Sequence, residues 1–164
     1  SKNKILELRS SSSELAAPSL QSEESRTIEG LAIVYEEESE VLYDFLDGRA
    51  FREIVHKGAV TEELLRSSDV LALYEHDRTK LLARSTNGEG SLHLSITDSG
   101  LLYRFDAPNT QLGNDTLELL RRGDLRSSSF LFGVNKGDTH WEKKEDGTWL
   151  RHIDHFSYIG DVQW

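Results

Sequence analysis

Short runs of alternating apolar and polar residues dominate the chain from Thr27 onward and predict a protein built mainly from β-strands. The clearest pattern spans residues 92–105, where an alternating run, the turn signal Asp98-Ser99-Gly100 and a second apolar run together indicate a β-hairpin. We expect residues 27–35 to pair with residues 41–46 across an acidic loop. Similar runs predict further strands over residues 51–55, 70–74, 81–85, 129–134, 140–143, 148–153 and 158–162.

Two segments carry the end signals of short helices. Residues 61–66 begin with Thr61 as an N-cap and have acidic residues in the first turn. Residues 114–122 place two leucines on one face and end in two arginines followed by Gly123. Many short strands with two brief helices favour a mainly β fold, which we expect to be a β-barrel of mixed strands flanked by helices.

Serine enrichment sets the first 26 residues apart from the rest of the chain. This segment also contains Pro18 and mixed charges, and it has little apolar surface to bury. We therefore expect a flexible N-terminal segment over residues 1–26 and one folded domain over residues 27–164. The alternative for residues 5–8, Ile-Leu-Glu-Leu, is an edge strand.

Composition excludes several classes of function. The net charge of −10 argues against a broad nucleic-acid-binding surface, and the absence of cysteine excludes disulfides and thiolate chemistry. No apolar run approaches the roughly 20 residues of a membrane-spanning helix. Six histidines are present, but no His-Glu-x-x-His spacing occurs, so we expect neither a metal site nor a cofactor.

Three consecutive serines, Ser127, Ser128 and Ser129, lead directly into the apolar run of residues 130–134. A hydroxyl at such a junction is held by a rigid strand yet stays accessible, as a nucleophile requires. Alternation puts Ser127 and Ser129 on one face and Ser128 on the other. A nucleophilic serine also needs a base, and His76 follows another apolar run in a comparable position.

A series of short blocks lies in a fixed order along most of the chain. They are residues 28–35, 51–60, 73–77, 81–85, 99–101, 106–110, 129–132, 151–153 and 161–162. In order and spacing they resemble the prohead (capsid maturation) serine proteases of tailed phages. That family is similar in fold and active-site logic to the herpesvirus assembly proteases, which use a serine, a histidine and a second histidine.

The resemblance implies roles for individual residues. Ser129 matches the serine of the family's Ser-Phe-x-Phe block and would be the nucleophile, with His76 as the base and Ser127 as the rival nucleophile. The third member would be His155, 26 residues after Ser129, as in the herpesvirus-type enzymes. The alternative is Asp161, which resembles the acidic residue of a terminal Glu/Asp-Val-Ser block. Gln163 departs from that block, where a serine is expected.

By the same resemblance Arg151 would support the oxyanion loop. The implied function is a serine endopeptidase that cleaves scaffold protein, or the scaffolding segment of the major capsid protein, and itself. It would act without a cofactor, inside the procapsid in the cytoplasm of the infected or lysogenic bacterium. A homodimer is a further expected partner, whereas nucleic acid and membranes are not. The alternative functions are a catalytically silent capsid-assembly or scaffold-binding module on the same fold, and a generic β-rich binding domain.

Overall fold

The computed structural model describes residues 5–10 and 13–164. Within them the chain forms two α-helices, α1 (Glu62–Arg66) and α2 (Gln111–Arg121), and a 3-10 helix at Glu14–Ala16. The strands are β1 (Leu6–Ser10), β2 (Ser19–Leu20), β3 (Thr27–Val34), β4 (Leu42–Tyr43), β5 (Ala50–Val55), β6 (Asp69–Tyr74), β7 (Asp77–Thr86), β8 (Glu89–Gly90), β9 (His93–Ile96), β10 (Gly100–Asp106), β11 (Ser129–Gly133), β12 (Thr139–Lys143), β13 (Trp149–Ile153) and β14 (Tyr158–Gln163).

The described strands form three open sheets. One has six strands in the order β1-β11-β14-β6-β7-β8, and the other two have the orders β2-β3-β10-β9 and β12-β13-β5-β4. The pairs β14–β6 and β13–β5 are parallel. The predicted mainly β class with short helices is therefore confirmed, but none of these sheets closes into the expected barrel.

One hydrophobic core joins the three sheets. Phe132, Tyr103 and Ile153 each come from a different sheet and are completely buried. Phe132 packs edge-on against Phe156, with ring centroids 5.0 Å apart. Burial of such large side chains is the main favourable term in folding. In the described part of the chain, no helix has the length and apolar character needed to span a membrane.

The predicted hairpin at residues 92–105 is confirmed as β9 and β10, with Leu101 opposite Ile96. Gly100 makes the turn into β10 possible, because it has a φ of +150°. A β-carbon at this position would lie only 1.8 Å from the carbonyl oxygen of Ile33 on the neighbouring strand. Only glycine permits this close approach of two backbones.

The predicted pairing of residues 27–35 with residues 41–46 is wrong. β3 pairs with β2 and β10, whereas β4 pairs with β5. β3 contains Ile28 and Ile33, which are almost fully buried and need an apolar neighbour. β10 supplies one through Leu101, Tyr103 and Phe105, while the β4 segment leaves Tyr43 exposed.

Both predicted helices are present. The hydroxyl of Thr61 caps α1 by accepting a hydrogen bond from the Leu64 amide at 3.1 Å. α2 begins at Gln111, three residues before the predicted start, because Thr110 caps it by accepting from the Gly113 amide at 3.1 Å.

The first 26 residues, predicted as a flexible segment, contribute two strands and a 3-10 helix to the described structure. β1 lies antiparallel to β11, from Leu6 opposite Gly133 to Ser10 opposite Ser129. The edge-strand alternative for residues 5–8 therefore corresponds to β1. Ala16, in the 3-10 helix, is fully buried, so this part of the segment packs onto the domain.

Candidate active site

Three neighbouring strands position the candidate residues at one end of the six-stranded sheet. Ser129, at the start of β11, lies opposite Gln163 of β14. Gln163 in turn lies beside Leu73 of β6, and His76 follows in the turn after that strand. Neighbouring strands are about 4.8 Å apart, so the backbones of Ser129 and Leu73 are separated by roughly 10 Å. Ser129 and His76 therefore share one end of the sheet, with β14 between their strands.

The three consecutive serines have different surroundings. Ser128 is buried and its hydroxyl donates to the Ala16 carbonyl at 3.0 Å. Ser127 is exposed and precedes β11, whereas Ser129 is half-buried. The Ser129 hydroxyl lies 2.7 Å from that of Ser10. Ser128 therefore points into the core, whereas Ser127 and Ser129 remain accessible and Ser129 is the one held within the strand.

His76 lies in the tight turn between β6 and β7. Glu75 and His76 both adopt the left-handed backbone region, with φ of +50° and +60°. Such conformations in residues other than glycine are uncommon and cluster at functional sites. The Glu75 amide donates to the Trp164 carbonyl at 2.7 Å, which ties the turn to the residue after β14. The His76 side chain is exposed and makes no hydrogen bond within the described part of the chain.

Asp161 lies on β14, the strand between those of the other two residues. It is half-buried, and this burial raises the pKa of its carboxyl group. The charge of Arg78, a hydrogen bond from Gln163 and the charge of His76 oppose the rise. Asp161 thus combines partial burial with a position between the strand of Ser129 and the strand that leads to His76.

The structure does not bring His155 to these residues. His155 precedes β14, in which Tyr158 lies opposite Gly133 and Gln163 lies opposite Ser129. It is therefore at the other end of the strand pair, where its Nδ1 donates to the Asp154 carbonyl at 2.9 Å. The 26-residue spacing fails to place it beside the nucleophile because β12 and β13 intervene as a hairpin of another sheet.

Arg151 also lies away from the Ser129 hydroxyl. On β13, it forms ion pairs with Glu7 at 2.7 Å and with Glu53 at 3.2 Å. Alternation along β1 points Glu7 to the face opposite Ser10, whose hydroxyl contacts Ser129. The guanidinium of Arg151 thus belongs to an ion-pair network on the other side of β1.

The other histidines are engaged in packing or exposed. His140 and His152 stack with ring centroids 4.3 Å apart. His56 stacks on His152, with its Nε2 2.7 Å from the His152 Nδ1. His93 is exposed on β9. Within residues 5–10 and 13–164, no group of three or more histidine or carboxylate side chains is arranged to hold a metal ion.

Sequence reasoning missed two residues of this region. Gln163, noted only as a departure from a motif, is 3% exposed and its amide donates to Asp161 at 3.3 Å. The parity of positions 161 and 163 on one strand is the signal that pairs them. Ser10 carried no such signal, because its contact with Ser129 joins residues 119 positions apart.

A hydroxyl, a carboxylate and an imidazole are the groups that serine hydrolases use for acyl transfer. Here the first two lie on adjacent strands and the third in the turn after the next strand. Residues 13–162 match the family model described as the caudovirus prohead serine protease. The chain belongs to this family. At the level of the family it is a capsid maturation protease of tailed phages, as the sequence resemblance predicted.

A solved structure of the bacteriophage T4 capsid assembly protease is also similar to this chain. The two are 9% identical, the match covers 98% of this chain and 96% of the T4 chain, and the TM-score is 0.49. A search of curated protein sequences gave no significant match.

Proposed function

We propose that this chain is a serine endopeptidase of procapsid maturation in which Ser129 is the nucleophile, His76 the general base and Asp161 the residue that orients the base. The observation that carries the proposal is the position of Asp161. It lies on β14, between the strand of Ser129 and the strand that leads to His76.

The chemistry follows from these positions. The Ser129 hydroxyl attacks the carbonyl carbon of the scissile peptide bond while His76 accepts its proton, since an unactivated hydroxyl is a poor nucleophile. His76 then gives the proton to the leaving amine, and water hydrolyses the acyl-enzyme by the same steps in reverse order. Asp161 stabilises the imidazolium, and partial burial strengthens this attraction because fewer water molecules screen it.

The proposed substrates are scaffold protein or the scaffolding segment of the major capsid protein, together with the chain itself. Family membership supports this choice, because a prohead protease acts on proteins of the assembling capsid. We place the reaction inside the procapsid.

A fluorophosphonate probe tests the proposal directly, because it reacts with activated serines. We expect mass spectrometry to find the label on Ser129, with no label in the Ser129→Ala chain and full labelling in the Ser128→Ala chain. A label on Ser127 would move the nucleophile two residues upstream. No labelling of any folded chain would instead favour the catalytically silent assembly module.

The two candidates for the third member are separated by a pair of substitutions. We expect Asp161→Asn to lower kcat by about 100-fold or more, because the imidazolium loses its charged partner. His155→Ala is the matched control and is expected to leave kcat unchanged, because His155 lies at the far end of the strand pair. Cleavage of a scaffold substrate under saturating conditions measures both. The reverse pattern would assign the role to His155.

Asp161→Asn also has a predicted effect on stability. Burial raises the carboxyl pKa of Asp161 in the folded chain, so folding favours the protonated form. The stabilisation from that form is complete below the unfolded-state pKa of about 3.9 and is lost as the pH rises through the folded-state pKa. At pH 7 we therefore expect Asp161→Asn to raise the free energy of unfolding, and we expect this gain to disappear near pH 3. Urea unfolding of both chains at pH 7 and pH 3 measures this difference. A lower stability of the Asp161→Asn chain than of the unaltered chain at pH 7 would contradict the prediction.

A further inference from the structure

The N-terminal strand β1 lies along the strand that carries the proposed nucleophile. It completes the edge of the six-stranded sheet by pairing antiparallel with β11, and Ser10 lies opposite Ser129. The hydroxyls of these two residues are 2.7 Å apart. An extended peptide that adds to a sheet edge gains main-chain hydrogen bonds from the whole strand. Residues 6–10 therefore occupy a position from which a peptide backbone runs directly past Ser129.

An arginine holds β1 in this position. The guanidinium of Arg9 binds the carboxylate of Glu53 through two hydrogen bonds, Nε to Oε1 at 2.8 Å and Nη2 to Oε2 at 3.2 Å. Glu53 is only 4% exposed. A buried carboxylate needs a cation close by, and the planar guanidinium fits both of its oxygens.

The other side chains of β1 contribute less to its attachment. Leu6 and Leu8 alternate with Arg9 and point the opposite way, where they remain 47% and 42% exposed. Glu7 shares the inner face with Arg9 but is itself held by Arg151. Among the described residues of β1, Arg9 thus makes the side-chain contact, with Glu53, by which the site would distinguish β1 from an extended peptide of another sequence.

We propose that the edge of β11 to which β1 is paired is a binding site for an extended peptide, that residues 6–10 occupy it in cis, and that Glu53 selects an arginine one residue before the residue that faces Ser129. The inference rests on the proposed function only in naming Ser129 as the nucleophile. A substrate strand would have to displace β1. β1 and a substrate strand would form the same main-chain hydrogen bonds with β11. Which of the two occupies the site therefore depends on whether the arginine of β1 or that of the substrate pairs with Glu53.

Glu53 is expected to prefer arginine over lysine. A lysine ammonium is a point charge and bonds one carboxylate oxygen at a time, whereas the arginine fork engages both. Arg151 also contacts Glu53, at 3.2 Å, and this contact does not depend on β1. The carboxylate therefore retains one cation when β1 leaves.

The test uses a fluorescein-labelled peptide with the sequence of residues 5–10, added to the full chain carrying Ser129→Ala so that binding is measured without catalysis. Arg9→Glu places a carboxylate against Glu53 and is expected to release β1. Arg52→Glu is the matched control, since Arg52 lies on the exposed side of the same β5 strand and, in the part of the chain that the structure describes, its side chain bonds only the Ser39 carbonyl. Fluorescence anisotropy should show at least about tenfold tighter binding to the Arg9→Glu chain, because the competing strand no longer occupies the site.

Two further arms examine the role of Glu53. Replacing the arginine of the peptide with alanine should weaken binding to the Arg9→Glu chain by at least about tenfold, and adding Glu53→Gln should abolish this difference. Equal binding of both peptides, or no gain from Arg9→Glu, would overturn the proposal.

Hydrogen exchange on the chain with Ser129→Ala alone gives an independent answer even if Arg9→Glu does not fold. Excess peptide should speed the exchange of the backbone amides of residues 6–10, since it displaces β1, and unchanged exchange would overturn the proposal. Failure of fluorophosphonate labelling, in contrast, would remove Ser129 as nucleophile and leave these binding results unaffected.

Discussion

Ser129→Ala is expected to lower cleavage of a scaffold substrate by at least about 1,000-fold, because the members of a catalytic triad act as a unit. The fold should survive this change. Ser129 is half-buried and its hydroxyl bonds, among the described residues, only the hydroxyl of Ser10, so its loss should change the free energy of unfolding by about 1 kcal/mol or less. Initial rates and thermal unfolding of the same preparation measure the two effects.

The neighbouring serine provides the control for this result. Ser128→Ala leaves the buried Ala16 carbonyl without its hydroxyl donor and is expected to cost about 1–3 kcal/mol of stability. The rate per folded molecule should stay at the level of the unaltered chain. If Ser129→Ala kept full activity and Ser127→Ala lost it, the assignment of the nucleophile would be wrong.

His76→Asn is expected to reduce the cleavage rate as severely as Ser129→Ala, again by at least about 1,000-fold. Asparagine is the better choice here than alanine, because it tolerates the left-handed conformation that His76 adopts at a φ of +60°. Loss of activity then reports loss of the base, not a distorted turn. Fluorophosphonate labelling of Ser129 should disappear in parallel.

The control for this substitution is His93→Asn, which alters an exposed histidine on β9. It should leave both the cleavage rate and the labelling unchanged. If His76→Asn cleaved at the normal rate, a different residue would have to serve as the base.

The features that the sequence predicted well depend on neighbouring residues. The hairpin at residues 92–105 is predicted by apolar and polar residues that alternate on both sides of one turn. The start of α1 is predicted by its N-cap, Thr61. The separate orientation of Ser128 follows from the two-residue period of a strand. Each of these signals lies within a few positions of the element that it specifies.

The features that escaped prediction depend on distant partners. Alternation shows that β3 has a buried face but does not show whether β4 or β10 pairs with it, since both segments contain large apolar residues. His155 was assigned from its distance along the chain, which says nothing about the sheet to which the intervening hairpin belongs. Arg9 and Glu53 are 44 residues apart, and the ion pair between them has no pattern in the sequence.

The place of β14 in the sheet also sets the order in which the proposed site can form. Translation delivers His76 first, then Ser129, and only afterwards the strand at residues 158–163 that lies between them. Until that strand is made, β11 and β6 have no common neighbour and the proposed catalytic groups are not held together. We therefore expect a chain that stops before residue 158 to lack the cleavage activity proposed above. Of the three strands that position the proposed groups, the one in the middle is the last to be synthesised.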